Sequence, residues 1–367
     1  MKTELSALTG LRALAALMVF AFHVHLRNPM LFLPWSARNL VSQGALGVTV
    51  FFVLSGFLLT YSHLPDFAAG QLPTGAYFKR FMRKRLARIY PAYLAGLLLF
   101  GVTVAATHSA AWQLAWPTVV ADLTMTQTLF PSLAMDWYGT GAWSISTEIC
   151  FYLSFPLLLP LLLRISSPRL LKVLLAIIIL VGAGGGMAYQ FWPARIGYSL
   201  MYTHPLFRGS EFIAGMLAGV LVFRFQWRVS EWAALGLVGI ASVYIAERAY
   251  WLEGFVAHNW LVVPAIVSLV AALADAPRTK VLRLLAHPWL VYAGRLSYCF
   301  YLAQLPFFVL QDIQLEAHQP LTAWWWSGPA VFGATTVVAV LLHHGVELPA
   351  HRWLLPKGQK LPVTAKA

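Results

Sequence analysis

Charged side chains are scarce in this sequence. They make up 11% of the 367 residues, whereas hydrophobic residues make up 59%, and soluble domains usually carry about a quarter charged residues. That composition excludes a soluble globular protein. The formal net charge is +13. In a membrane protein, however, the position of Lys and Arg matters more than their sum, so we expect no nucleic-acid partner.

Cysteine is nearly absent as well. The chain has only Cys150 and Cys299. Each lies in an apolar stretch and neither belongs to a CxxC pair, so the sequence predicts no disulfide framework and no metal site. We expect both thiols to pack as small apolar side chains.

Long apolar runs are abundant instead. Ten of them reach roughly 17 to 25 residues, the length that a bilayer core requires. They fall near residues 6–26, 44–62, 89–107, 142–163, 170–188, 206–223, 230–247, 259–275, 288–310 and 324–345. The predicted fold is therefore an all-α polytopic membrane protein, a bundle of about ten transmembrane helices. Arg12 and His23 interrupt the first run, which we interpret as a retained span rather than a secretory signal.

The basic residues are unevenly distributed between the predicted loops. With the N-terminus in the cytosol, nineteen of the 26 Lys and Arg residues fall on the cytosolic side and four on the outer side. This matches the positive-inside rule and predicts that both termini are cytoplasmic. Residues 1–367 are expected to form one transmembrane domain with a short cytoplasmic tail at about 350–367 and no appended soluble domain. The pair Gly215 and Gly219 in GMLAG is typical of close helix packing.

Ionisable side chains inside the predicted spans are the candidate functional residues, since each costs several kcal/mol to keep in a bilayer. Arg12 and His23 are eleven residues apart, close to three helical turns. Both therefore project from one face of the first span, about 16 Å apart. Two structural alternatives remain open: in one, Arg12 extends to the inner interface, and in the other, His23 caps the outer helix end.

A carboxylate is predicted near His23. The fourth span enters as WSISTEICFYLSF, which places Glu148 about a turn and a half below the outer surface, with Trp143 and Ser144 just above it. A carboxylate bonded to an imidazole raises its basicity, and this would make His23 an effective general base.

The alternative is a purely structural carboxylate. Glu148 would then pair with Arg208, at the outer start of the sixth span in HPLFRGSEF. Glu211, one turn below Arg208, is placed to make the same pairing.

Basic residues crowd FKRFMRKRLARIYPAY, which we interpret as a cytosolic loop. We interpret Lys79, Arg80 and Lys84 as topology anchors beside anionic lipid. Arg85 and Arg88 lie one turn apart at the mouth of a span, a geometry suited to binding a phosphate-bearing ligand from the cytosol.

Taken together, these motifs resemble the acyltransferase 3 family of bacterial membrane acyltransferases. The resemblance extends from LTGLRALAALMVFAFH to VELPAHRW and so covers nearly the whole chain. It depends on the Arg12 and His23 spacing followed, in order, by GVTVFFVLSGFLLTY, RLARIYPAY, WSISTEICFYL, FRGSEFIAGMLAG and SYCFYLAQLP. The chain departs from the family at Gln304, where a histidine is frequent, so a mechanism that requires two histidines is not expected.

The resemblance implies transfer of an acyl group, most often acetyl from acetyl-CoA, to a sugar hydroxyl of an envelope or exported polysaccharide at the bacterial inner membrane. Arg12, Arg85 and Arg88 would bind the acyl-CoA phosphates, while His23, oriented by Glu148, would take the proton of the hydroxyl. The expected acceptors are exopolysaccharide or lipopolysaccharide O-antigen units, polymeric or lipid-linked. No metal is expected. The candidate substrate-binding residues are Trp143, Ser144, Arg208, Glu211 and Gln304.

Several alternatives remain open at this point. A transporter or flippase of an envelope precursor would also need ten spans and intramembrane charge. An enzyme of the same family could use succinyl-CoA. The sequence leaves undecided the sugar and hydroxyl that are acylated, and whether transfer is direct or passes through an acyl-histidine.

Overall fold

In the computed structural model, the described residues are 5–70, 73–107, 116–136, 138–248, 255–316 and 324–354. They form helices joined by short turns, without a β-strand among them, which confirms the predicted all-α fold class. The α-helices are α1 Ser6–Arg27, α2 Trp35–Ser42, α3 Leu46–Ala68, α4 Gly75–Thr107, α5 Trp116–Thr124, α6 Gly139–Leu163, α7 Pro168–Phe191, α8 Pro193–Ile196, α9 Tyr198–Thr203, α10 Pro205–Phe225, α11 Glu231–Arg248, α12 Asn259–Ala272, α13 Lys280–Leu285, α14 Pro288–Glu316, α15 Trp324–Leu342 and α16 Leu348–Leu354. Short 3₁₀ helices cover Gln127–Leu129 and Phe255–His258, and a π-helix covers His343–Glu347.

Seven helical segments in the described part of the chain are long and apolar enough to cross a membrane. They contain α1, α3, α4, α6, α7, α10 and α15. The other three predicted spans also coincide with helices, namely α11, α12 and α14, but α12 has only 14 residues. The chain is therefore a multi-pass membrane protein by length and composition, while the predicted count of ten spans is not confirmed.

The basic segment that the sequence placed in a loop is helical. α4 begins at Gly75, so Arg85 and Arg88 lie within a continuous helix of 33 residues, ahead of Pro91. Ala, Leu, Lys and Arg are good helix formers, and nothing between Gly75 and Arg88 interrupts them. The predicted spacing of one turn between the two arginines is retained.

α1 packs between α3 and α14, and glycine permits the close approach. A Cβ atom on Gly10 would collide with the backbone of Leu285, and one on Gly294 would collide with the carbonyl of Thr9. Backbone contact of this kind fixes α1 against α13 and α14 along the half of α1 that carries Arg12.

The α3 and α10 helices meet in the same way. Gly215 lies against the Val53 carbonyl and Gly219 against the Thr60 side chain. Small residues are what helices need for close packing in a membrane, so the predicted role of GMLAG is confirmed.

The described segment 116–136 covers the start of α6. The Thr128 hydroxyl lies 2.8 Å from that of Ser146, and the Tyr93 hydroxyl donates to the Asp122 carbonyl at 2.8 Å. Four aromatic residues in or near this segment, Trp112, Trp116, Trp137 and Tyr138, are of the type that settles at a membrane interface; of these, Trp116 is 78% exposed and Tyr138 is fully buried. The other two, Trp112 and Trp137, lie outside the described residues, as does 355–367 of the predicted tail.

Candidate active site

The first candidate region is the arginine cluster of Arg12, Arg85 and Arg88. α1 supplies Arg12 and α4 supplies the other two. Arg12 is within range of a charge–charge interaction with Arg88, and Arg85 is likewise within range of Arg88. The structure therefore brings the three predicted donor-binding residues together, and three like charges at one place would repel each other without nearby carboxylates.

Glu148 is one of those carboxylates. It interacts electrostatically with Arg12 and with Arg85. Its Oε1 accepts hydrogen bonds from the Ser55 hydroxyl at 2.9 Å and from the Tyr152 hydroxyl at 2.6 Å. These contacts place Glu148 with the arginine cluster.

The predicted contact between Glu148 and His23 is wrong. No hydrogen bond joins Glu148 to His23 among the described residues. α6 begins at Gly139, and the preceding segment covers its first turns, so that Ser146 is itself fully buried. Nine residues of helix place Glu148 about 14 Å beyond the start of α6. Together with its electrostatic interactions with Arg12 and Arg85, this places Glu148 in the arginine cluster and not beside His23.

His23 has a different neighbour. The Gln304 side chain of α14 lies beside its imidazole, and the Phe308 ring meets it edge-on, with ring centroids 5.3 Å apart. Neither amide atom of Gln304 nor the Nδ1 atom of His23 has a well-formed hydrogen bond to the described residues. The position at which the resemblance led us to expect a family histidine thus faces the predicted base.

Ser144 lies close to this second region. Its hydroxyl donates to the Tyr301 hydroxyl at 2.9 Å. Tyr301 and Gln304 are three residues apart on α14 and so share one face of that helix. Ser144, Tyr301 and Gln304 therefore form a line of polar groups that leads to His23.

Arg208 and Glu211 form a closed ion pair. The guanidinium donates to Glu211 at 3.0 Å, and Asn259 donates to the same carboxylate at 2.7 Å. Arg208 also lies over the Trp143 ring, 5.5 Å from its centroid. The two charged residues are 1% and 0% exposed, an arrangement that favours a structural role for them and for Trp143 over contact with substrate. The alternative pairing of Arg208 with Glu148 is wrong.

Sequence reasoning missed Glu347. It lies in the π-helix, where Oε2 accepts from His343 Nδ1 at 2.7 Å and from the Cys299 thiol at 3.2 Å. It interacts electrostatically with Arg12 and Arg88. The cost of an intramembrane charge was the available signal, but the tenth predicted span ended at 345, two residues before it.

Cys299, His343 and Glu347 also have the composition of a metal-ligand set. Their ligand atoms lie within 4.8 Å of one another. Cys299 and His343 each donate a hydrogen bond to Oε2 of Glu347, so the hydrogen-bonding needs of the three groups are met within the cluster. We assign them to the support of the arginine cluster.

The fold and these two regions define a multi-pass membrane protein with buried charge along one central helix. That helix carries one arginine of a cluster near one end and, about 16 Å away, an imidazole beside a glutamine side chain. The chain belongs to the acyltransferase 3 family. The family profile, described as an acyltransferase domain, matches residues 5–344. The protein is therefore an acyltransferase.

Individual relatives agree with this class. The acyltransferase MdmB of Streptomyces mycarofaciens is 28% identical, over 98% of this chain and 94% of MdmB. The peptidoglycan O-acetyltransferase OatA of Listeria monocytogenes is 24% identical, over 94% of this chain but 56% of OatA. The O-acetyltransferase OatA of Staphylococcus aureus NCTC 8325 is also 24% identical, over 83% of this chain and 51% of that protein. The chain thus spans nearly all of MdmB and about half of the OatA proteins. No solved structure matches it.

Proposed function

We propose that this protein transfers an acetyl group from cytosolic acetyl-CoA to a hydroxyl of an envelope or exported polysaccharide, with His23 as general base. The observation that carries the proposal is the division of α1 into two ends. Arg12 lies in the arginine cluster, and His23 lies beside the unpaired amide of Gln304.

The arginine cluster is suited to the donor. The phosphates of acyl-CoA carry several negative charges, and guanidinium groups bind phosphate through paired, charge-assisted hydrogen bonds. Glu148 and Glu347 hold the arginines apart in fixed positions while leaving a net positive charge. The excess of basic residues on the predicted cytosolic side supports a cytosolic position for this end of α1, where acyl-CoA is available.

The His23 region is suited to the transfer step. Neutral imidazole takes the proton of the acceptor hydroxyl as its oxygen attacks the thioester carbonyl carbon. The new C–O bond forms, the C–S bond breaks, and the imidazolium returns the proton to the departing CoA thiolate. The side-chain amide of Gln304 lies beside His23 and makes no well-formed hydrogen bond to the described residues. Its N–H can therefore donate to the thioester carbonyl oxygen as negative charge develops on that oxygen.

The acceptor class comes from the relatives. The OatA proteins are O-acetyltransferases, and the Listeria relative is named for peptidoglycan, which supports a sugar hydroxyl as acceptor. We propose exopolysaccharide or lipopolysaccharide O-antigen units, polymeric or lipid-linked, and a location in the bacterial inner membrane with both termini cytoplasmic. Succinyl-CoA is the alternative donor within the same mechanism.

The test is release of free CoA thiol by purified protein in detergent, with acetyl-CoA and a deacetylated glycan as substrates. We expect thiol release that depends on both substrates and is lost in His23→Ala. Arg228→Ala, which removes an exposed ion pair with Asp275 outside both regions, is the control and should retain activity. NMR of glycan from a deletion strain identifies the acetylated hydroxyl. Absence of thiol release, with glycan acetylation intact in the His23→Ala strain, would favour the transporter alternative.

A further inference from the structure

An ion pair joins α1 to α14 one turn beyond His23. Arg27 Nε lies 2.8 Å from one carboxylate oxygen of Asp312, and Arg27 NH2 donates to the other at 2.9 Å. The Arg27 side chain is 16% exposed and that of Asp312 43% exposed. The guanidinium is therefore joined to the carboxylate by one hydrogen bond from NH2 and by a close charge–charge contact at Nε, and two points of contact restrict its direction as well as its distance.

The same guanidinium is tied to His23. Its third nitrogen, NH1, donates to the His23 carbonyl at 3.2 Å, and its carbon lies 4.6 Å above the Phe308 ring centroid. Phe308 in turn meets the His23 imidazole edge-on. Arg27 thus contacts the backbone of His23, the ring that packs against its imidazole, and the carboxylate that anchors it to α14.

We propose that Arg27 and Asp312 are positioning residues for acyl transfer, which hold the imidazole of His23 against Gln304 by fixing the last turn of α1 on α14. This rests on the proposed role of His23 as general base. Backbone contact between Thr9 and Gly294 holds α1 close to α14, but this contact lies more than three turns away from His23. Without the ion pair, the imidazole end of α1 is held to α14 by side-chain packing, such as that of Phe20 against Phe300 and Phe308.

Stability alone does not explain this pair. Ion pairs with one partner as exposed as Asp312 contribute little to folding, because solvent screens them. If removal of the Arg27–Asp312 pair lowers kcat strongly, the cause is therefore a changed position of His23 and not a loss of stability. The Arg228 and Asp275 pair, at 3.0 Å and with both side chains at least half exposed, offers a matched control that touches neither candidate region.

The experiment measures kcat and the KM for acetyl-CoA in purified Arg27→Ala, Asp312→Ala and the charge-swapped double variant Arg27→Asp with Asp312→Arg. We expect each single variant to lose at least tenfold in kcat, with KM for acetyl-CoA changed less than twofold. The double variant should recover part of the loss. Arg27→Lys, which keeps the charge but not the paired geometry, should fall between wild type and Arg27→Ala. Arg228→Ala and Asp275→Ala should retain wild-type kcat.

Three results would overturn the inference: unchanged kcat in both single variants, a swap that recovers nothing, or losses no larger than in the Arg228 and Asp275 controls. If either alanine variant fails to fold in detergent, Arg27→Lys and Asp312→Glu give the same comparison. His23→Ala separates the two proposals. If it retains transfer, the proposed function fails; if it alone loses transfer, only the positioning role fails.

Discussion

Buried carboxylates in this molecule have different partners, and the partners indicate what each does. Glu211 is bonded directly to Arg208 and Asn259, which leaves it closed to substrate. Glu148 accepts bonds from two hydroxyls and acts on the arginine cluster only through charge. A carboxylate of this second kind sets the position of neighbouring cations without occupying their donors, so the N–H groups of the arginines stay available to a phosphate.

Glu148→Gln should therefore affect the donor more than the chemistry. Loss of the charge leaves Arg12 and Arg85 each repelled by Arg88, so that the cluster moves apart. We expect a KM for acetyl-CoA raised about tenfold, equivalent to about 1.4 kcal/mol, with kcat within threefold of wild type. Steady-state kinetics of CoA release checks this. Tyr152→Phe, which removes one hydrogen bond but keeps the charge, is the matched control and should show a smaller effect.

The opposite kinetic pattern, a lower kcat with an unchanged KM, would instead support the sequence prediction that Glu148 acts on His23. If Glu148→Gln lowers kcat a hundredfold with KM unchanged, the carboxylate acts on His23 after all. The sequence correctly identified Glu148 as costly to bury. It could not give its depth, because the true start of α6 at Gly139 and the cover over Ser146 depend on tertiary packing.

At the scale of helices, apolar run length was a sound guide, since each predicted span coincides with a helix. Run length could not predict two features: a helix made largely of basic residues, and a π-helix inside an otherwise α-helical segment. The basic residues before Pro91 looked like a loop but continue α4. The π-helix that presents Glu347 has no sequence pattern of its own, although such bulges often mark functional sites.

The contact between α3 and α10 gives a prediction at this scale. Gly215→Ala places a Cβ atom into the Val53 carbonyl, and overpacking of this kind typically costs about 1–3 kcal/mol. We expect a lower unfolding temperature in detergent. Gly184→Ala is the control, because no atom lies within 4 Å of the added Cβ, and its unfolding temperature should be unchanged or higher. An equal loss of stability in both variants would show that the close contact does not limit packing.

At the scale of the whole molecule, the proposal needs the arginine cluster to face the cytosol. In a cysteine-free background, we expect Lys79→Cys to react with a membrane-impermeant maleimide only after cells are permeabilised. Arg195→Cys should react in intact cells. Both side chains are exposed, so burial cannot account for a missing reaction. The reverse pattern would place the arginine cluster on the outer side and remove the argument for a cytosolic donor.

The central claim is that α1 divides donor binding from proton transfer. The most direct test is equilibrium binding of acetyl-CoA, by isothermal titration calorimetry, to wild type, Arg12→Ala and His23→Ala, each also assayed for transfer. We predict that Arg12→Ala binds acetyl-CoA at least tenfold more weakly. His23→Ala should bind it as wild type does yet transfer nothing. Equal loss of acetyl-CoA binding in the two variants would contradict the division.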